Sequence, residues 1–376
     1  MINRILFNRI MSSLHPGKVV VLLGARRVGK TFLIKEIMNK VAEPYLFLNG
    51  EEFSTRELLE RRTVKNYQNI LGDKKLLIID EAQKIPEIGS ILKLMVDEIE
   101  NLKIIATGSS AFDLQNTAGE PLTGRKITLK LYPLSEKELY ELEPVVIKKD
   151  SLQTRLVFGN YPESCLMNSF EDKSVYLNDL ITSYLLKDIL TLENIKNSSK
   201  IINLLRLVAF QIGGEVSLYE LAKQLQLSRN TVEKYLDLLT KVFILFKLEG
   251  YSRNLRKEVV KSSKWYFYDN GIRNAIIANL NPLNLRHDVG ALWENYIISE
   301  RIKFQSYNGM TVNNYFWRTY DQQEIDLVEE REGNLFAFEM KWKESKIKIP
   351  TAWKKAYPDS QFKVITQENY FDWIKK

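Results

Sequence analysis

The sequence predicts an α/β protein: a parallel sheet first, then a mainly helical stretch, then a second α/β region at the C-terminal end. Three observations carry this. Up to residue 131, short aliphatic runs alternate with segments of helical spacing. After Pro133 such runs stop and helix formers dominate to about residue 210. From Gly290 a helical segment is followed by several runs that alternate as half-buried strands do.

The first run, VVVLL at 19–23, is β-branched and aliphatic and ends at Gly24, as a buried parallel strand should. TFLIKEIMNKV follows with helical spacing of Phe32, Ile34, Ile37, Met38 and Val41. YLFL (45–48), LLII (76–79, ending at Asp80), KIIA (103–106, ending at Thr107) and KITLKL (126–131) supply four more strands, with a helix over 88–99. Residues 217–250 read as helix, turn, helix and strand, and KWYFY (264–268) can pair with that strand. The Asn- and Leu-rich stretch 278–289 reads as a linker. Beyond it come a helix over 290–304, strands near 313–319, 324–329 and 335–340, and a mixed tail.

Composition removes several function classes. At roughly 150 residues per domain, 376 residues make about 2.5 domains. Hydrophobic residues are 45% and charged residues 27%, as in globular chains, and the net charge of +7 permits an anionic partner without requiring one. A single cysteine, Cys165, excludes a disulfide scaffold. Two histidines, His15 and His287, argue against a multi-histidine zinc site. No apolar run approaches the roughly 18 residues of a membrane-spanning helix, and the basic N-terminus lacks the apolar core of a signal peptide. A cytoplasmic location without membrane partners is the expectation.

GARRVGKT at 24–31 fits G-x-x-x-x-G-K-[ST] between a strand and a helix, which is the context that gives the pattern meaning. Gly24 and Gly29 let backbone N–H groups of Gly24, Ala25, Arg26, Arg27, Val28 and Gly29 close around phosphates. Lys30 reaches the β and γ oxygens, and the Thr31 hydroxyl ligates Mg²⁺. LLIIDEAQ (76–83) delivers Asp80 to the carboxyl edge of the sheet, where it would hold Mg²⁺ through water, and Glu81 would polarise an attacking water. IIATGSS (104–110) brings Thr107, Ser109 and Ser110 to the same edge, either to sense the γ-phosphate or as ordinary turn chemistry. Arg125, in LTGRKI (122–127), is either a surface arginine or one that stabilises phosphoryl-transfer charge, at its own nucleotide or a neighbouring subunit's.

Together GARRVGKT, LLIIDEAQ, IIATGSS and LTGRKITLKLYPLS resemble an AAA-like P-loop ATPase family of bacteria and archaea. Its members carry a C-terminal region of unknown function, which YLLKDIL (184–190) and GALWENYIISE (290–300) resemble as well. The resemblance covers nearly the whole chain and implies ATP and Mg²⁺ binding with hydrolysis. The chain departs from standard AAA proteins in having no obvious separate helical lid, which speaks against a ring-shaped motor. DEAQ also occurs in helicases, but no second motif-bearing domain accompanies it.

SLYELAKQLQLSRNTVEKYLDLL (217–239) places Leu218, Leu221, Ala222, Leu225 and Leu227 on one face, Ser228 as an N-cap, and Val232, Leu236 and Leu239 on the buried side of the next helix. It resembles a winged helix-turn-helix. In DNA-binding versions Arg229, Asn230 and Lys234 would face the major groove, and the basic stretch YSRNLRKEVVKSSK, with Arg253 and Arg256, would meet phosphates. A wing of this kind serves protein contacts equally well.

A third set lies near the C-terminus. Glu294 sits on a helix, Asp326 on a strand in EIDLV, and Glu339 and Lys341 two apart on the next strand in LFAFEMK, so that the last two share a face. Their order resembles the restriction-endonuclease-like PD-(D/E)xK core. There Asp326 and Glu339 would ligate a second Mg²⁺ or Mn²⁺, Glu294 would be the helical acid, and Lys341 would orient water. Glu324 stands two positions before Asp326, where the family's name implies a Pro-Asp. An inactive core kept for packing is the competing expectation.

The whole sequence therefore reads as a P-loop (AAA-like) ATPase domain over 1–135, a helical connector over 136–210, a winged helix-turn-helix over 211–277 and an endonuclease-like α/β domain over 285–376. The expected function is Mg²⁺-dependent ATP hydrolysis with a nucleic-acid-directed output: DNA binding, with or without metal-dependent cleavage. The alternative is an ATP-controlled switch that binds a protein partner or another copy of the chain, with the C-terminal domain inactive.

Overall fold

A computed structural model describes residues 2–109, 122–140, 142–144, 148–185, 198–252, 263–343 and 347–375. The chain is α/β overall and divides into two compact units, 1–132 with 241–243, and 133–240 with 244–376.

The first unit is built on five parallel strands: β1 (Val19–Leu23), β2 (Tyr45–Asn49), β3 (Leu76–Asp80), β4 (Lys103–Gly108) and β5 (Lys126–Lys130), in the order β2-β3-β4-β1-β5. β1 and β3 are buried along their whole length, which is why they carry aliphatic residues on both faces. The helices Lys30–Lys40 and Ile88–Glu98 bury Leu33, Ile34 and Ile37, and Ile91, Leu92 and Met95. The strand order places the candidate site. β4 lies between β3 and β1, so the segments that leave the carboxyl ends of all three emerge side by side.

The second unit holds a seven-stranded mixed sheet in the order β12-β11-β10-β9-β7-β8-β6. Its strands are β6 (Glu215–Val216), β7 (Leu245–Gly250), β8 (Ser263–Phe267), β9 (Asn313–Arg318), β10 (Glu324–Arg331), β11 (Asn334–Met340) and β12 (Gln361–Ile365). The strands beside the helix-turn-helix thus belong to one sheet with those of the C-terminal region, joined by the parallel pairing of β7 with β9. The sequence alone separates these regions at 278–289. It carries no local sign of a pairing between strands more than 60 residues apart (Glu249↔Tyr315, Gly250↔Phe316).

The helices Leu218–Leu225 and Arg229–Lys241 form as their caps dictate. The Ser217 and Ser228 hydroxyls accept from Glu220 N (3.3 Å) and Thr231 N (3.1 Å), and Gln226 makes the turn at φ 51°. Leu221, Ala222, Leu225, Val232, Leu236 and Leu239 are buried. The long helix Val289–Asn308 is covered on most sides, with Trp293 fully buried.

A buried polar network ties that helix to the segment 136–158. The Arg155 guanidinium pairs with Glu136 (2.8 Å) and Glu143 (2.6 Å), while the Tyr370 hydroxyl donates to Glu136 at 2.8 Å. Glu300 accepts from Glu136 N and from Lys303 Nζ, both at 2.6 Å. Among the described residues no helix is long and apolar enough to cross a membrane.

Candidate functional site

Residues 24–31 close into a tight turn at the end of β1. Gly24 has no alternative: a Cβ there would stand 2.2 Å from the Leu131 carbonyl oxygen. Gly29 begins the next helix at φ 96°, a region that L side chains rarely adopt. Lys30 Nζ donates to the carbonyls of Gly24 (2.9 Å) and Ala25 (3.0 Å), so the loop is folded around the ammonium. Arg26 is half-buried, Arg27 exposed and Val28 buried. Sequence reasoning missed a buried support. Arg4 donates to the Val28 and Tyr132 carbonyls, each at 2.7 Å, and so fixes the back of the loop. In the sequence Arg4 is one basic residue of an amphipathic N-terminus, with nothing to single it out.

Asp80 faces this loop from β3. The Thr31 hydroxyl donates to Asp80 Oδ2 at 2.8 Å, which unites the two residues expected at Mg²⁺. The Thr107 hydroxyl donates to Asp80 Oδ1 and accepts from Glu81 N at 3.0 Å. Thr107 is thereby engaged with the carboxylate and with the Glu81 backbone. Glu81 takes φ 50°, and Gly50 packs against it so closely that a Cβ would lie 2.4 Å from the Glu81 carbonyl oxygen. The Glu81 carboxylate accepts from Gln83 Nε2 at 2.5 Å, and the same amide donates to Ser109 Oγ at 3.1 Å. Ser110 lies outside the described residues.

Arg125 is not part of this site within one chain. It stands just before β5, whose Lys126 pairs with Val19 and whose Lys130 pairs with Leu23. That puts Arg125 at the amino edge of the sheet, roughly 16 Å from the loop at about 3.3 Å per residue. There it is ion-paired with Asp97. Action on the chain's own nucleotide is excluded by this placement.

The hydroxyl and carboxylate oxygens of Thr31 and Asp80 form a hard donor set that suits Mg²⁺, which keeps several waters and takes its other ligands from phosphate oxygens. Bound there, Mg²⁺ would neutralise charge on the β and γ oxygens. The helix Lys30–Lys40 points its N-terminus at the same place.

In the second unit the four residues of the C-terminal set do come together. Antiparallel pairing of Leu327 with Phe338 places Asp326 opposite Glu339, and Asp326 Oδ2 accepts from Met340 N at 2.7 Å. Lys341 Nζ is 2.7 Å from Glu339 Oε1, while Glu339 Oε2 is buried with no hydrogen-bond partner among the described residues. Glu294 Oε1 accepts from the Tyr266 hydroxyl at 2.7 Å.

The sequence gives no hint of the residue at the centre, Lys264 on β8. Its ammonium is buried, lies 3.5 Å from Glu294 Oε1 and pairs with Glu324, two residues before Asp326. Burial alone would lower the Lys264 pKa, but Glu294, Asp326 and Glu324 hold it above its usual value. Burial pushes Asp326 well above the carboxylate range, reinforced by Glu294 and Glu339. Burial also raises Glu294, against the pull of Lys264. Among the described residues no three His, Cys, Asp or Glu side chains form a group able to hold a metal ion. Lys264 pairs with Glu294 and Glu324 within this set, and no second metal site is shown among the described residues.

On the helix Arg229–Lys241 the side chains of Arg229, Asn230 and Lys234 are exposed, as are the acids Glu233 and Asp237 beside them. Arg253 and Arg256 lie outside the described residues.

The first unit's fold and site define an AAA-type ATPase-like domain, and the AAA domain family matches residues 16–140. Residues 149–284 and 289–372 match two further families, each described as a domain of unknown function (DUF8612 and DUF4143). The chain is similar to the uncharacterized protein Rv2008c of Mycobacterium tuberculosis, with 28% identity over 89% of this chain and 72% of the relative. It is also similar to the uncharacterized protein MJ1544 of Methanocaldococcus jannaschii, with 24% identity over 76% of this chain and 67% of the relative. Among solved structures, a DNA replication initiation factor overlays at TM-score 0.27 and 14% identity, over 62% of this chain and 86% of that one. A signal transduction ATPase with numerous domains from Pyrococcus horikoshii, carrying a tetratricopeptide repeat sensor, overlays at TM-score 0.33 and 13% identity, over 82% of this chain and 48% of that one. Overlays this loose add nothing to the fold assignment, which rests on the chain's own sheet.

Proposed function

We propose that the chain is a Mg²⁺-dependent ATPase. The observation that carries this is the Thr31–Asp80 hydrogen bond beside a loop folded around Lys30. In hydrolysis a water oxygen bonds the γ-phosphorus while that phosphorus separates from the β,γ-bridging oxygen. The electron pair leaves with ADP and the water's proton passes to Glu81. Asp80 and Thr31 would hold the metal, and Lys30 would steady the γ-phosphoryl oxygens. Phosphate release tests this: turnover is expected with Mg²⁺ and should vanish when EDTA removes it. Turnover that persists in EDTA would contradict the assignment.

For the output, Arg229 and Asn230, exposed at the start of the second helix of the pair, support DNA binding. Two observations favour the second reading, a protein-binding switch without nuclease activity. Lys264 pairs with Glu294 and Glu324 beside the C-terminal set, and Glu233 and Asp237 interrupt the basic face. A salt titration of duplex DNA binding discriminates. Phosphate contacts give an affinity that falls steeply with salt and weakens in Arg229→Ala. Absence of binding at low salt assigns the output to a protein partner.

A further inference from the structure

Gln83 stands beside the hydrolytic residues without belonging to the phosphate loop or to the metal donors. It follows Glu81 by two residues, in the short 3₁₀ turn Ala82–Lys84. Its Nε2 donates both to Glu81 Oε2 (2.5 Å) and to Ser109 Oγ (3.1 Å), and so links the carboxylate to the end of β4. Its Oε1 is buried and has no hydrogen-bond partner among the described residues. A buried acceptor left unpaired is destabilising unless something satisfies it. The backbone on which the pair sits is held independently. Glu81 N is bound by the Thr107 hydroxyl, Gly50 N donates to Asp80 O at 2.8 Å, and the bare Gly50 Cα abuts the Glu81 carbonyl. The main chain is thus fixed without Gln83, and what Gln83 adds is the direction of one carboxylate.

We infer that Gln83 is a positioning residue for ATP hydrolysis. Its amide N–H aims the Glu81 carboxylate toward the attacking water. Glu81, so aimed, takes the one proton that the water loses as its oxygen bonds phosphorus. Ser109, hydrogen-bonded to the same amide, makes this alignment depend on the conformation at the end of β4, next to the expected γ-phosphate position. The inference rests on the ATPase reading and deepens it.

The test uses the full chain and four forms: wild type, Gln83→Ala, Glu81→Gln and the double variant. Steady-state phosphate release and Mg²⁺-ATP affinity are measured for each. Gln83→Ala is expected to lower kcat by about 10–100-fold, less than the roughly 10²–10⁴-fold of the acid–base group it positions, with nucleotide affinity within about twofold of wild type. In the Glu81→Gln background the same change should cost little more, because the two residues act as a unit. Multiplicative losses in the double variant, or a loss of nucleotide affinity matching the loss of kcat, would overturn the inference and leave Gln83 a packing residue. If wild type turns over no ATP, the ATPase reading falls first and this one with it. If wild type turns over ATP and Gln83→Ala matches it, only the role of Gln83 falls. Circular dichroism of each form separates misfolding from either result, and Gln83→Asn, which keeps the amide on a shorter arm, should recover part of the rate if the effect is positional.

Discussion

Lys30→Ala is expected to abolish measurable ATP turnover. Lys30 is held inside the loop, with its ammonium between the Gly24 and Ala25 carbonyls. A nucleotide's terminal phosphates would replace those carbonyls as its partners. Charge that develops on the γ-phosphoryl group then lacks its nearest compensating cation, and loss of a preorganised donor of this kind costs about 10²–10³ in kcat. Ground-state affinity should fall too, since the same ammonium contacts bound phosphate. The fold should survive, because Arg4 supports the loop separately through the Val28 carbonyl. The check is phosphate release beside wild type at equal concentration, with thermal unfolding as the control. A rate within a fewfold of wild type would remove the assignment.

Lys264→Met is expected to have the largest effect on stability. The variant keeps the length and apolar stem of the side chain and deletes the charge. Glu294 and Glu324 then face each other and Asp326 with Lys341 and the rim residue Arg318 as the remaining cations of the cluster among the described residues. Breaking a buried ion pair by removing one partner costs about 3–5 kcal/mol, because the surviving charge stays desolvated. For a unit of this size the unfolding midpoint should drop on the order of 10 °C. The same variant tests the character of the C-terminal site. With the lysine gone, Mn²⁺ added at millimolar concentration should recover part of the lost stability, while wild type should show no such shift in the absence of nucleotide. A wild-type chain stabilised by Mn²⁺ and by nothing at the ATP site would show a cation site where the structure places a lysine.

How much was legible in the sequence depends on how local the chemistry is. The phosphate loop, Asp80 and Glu81 were readable because phosphate binding imposes a fixed spacing at the end of a strand, and the structure brings Thr31 and Asp80 together. The two capped helices of 217–241 were readable for the same reason, as Ser217 and Ser228 act within three residues. For Arg125 the sequence does carry a signal. A residue preceding a parallel strand sits at the edge opposite the ligand, and that alone separates it from the loop after β1.

Gly50, Arg4 and Lys264 were not readable. Each acts on a partner at least 24 residues away, and neither composition nor periodicity records such a meeting. Lys264 also changes the meaning of residues that were identified. Glu294, Asp326, Glu339 and Lys341 have the order and strand context of a metal site, and a fifth side chain from another strand sets the charge at their centre. The buried pairing of Arg155 with Glu136 was equally hidden, since charged residues in a helical stretch read as a solvated face.

The proposed Mg²⁺-nucleotide site is built from residues 24–31 with Asp80. Isothermal titration of ATP into the full chain, with and without Mg²⁺, tests it most directly. The expected result is one nucleotide bound per chain, tighter with Mg²⁺ than without, and binding lost or strongly weakened in Lys30→Ala. No binding by wild type, or equal affinity in Lys30→Ala, would contradict it.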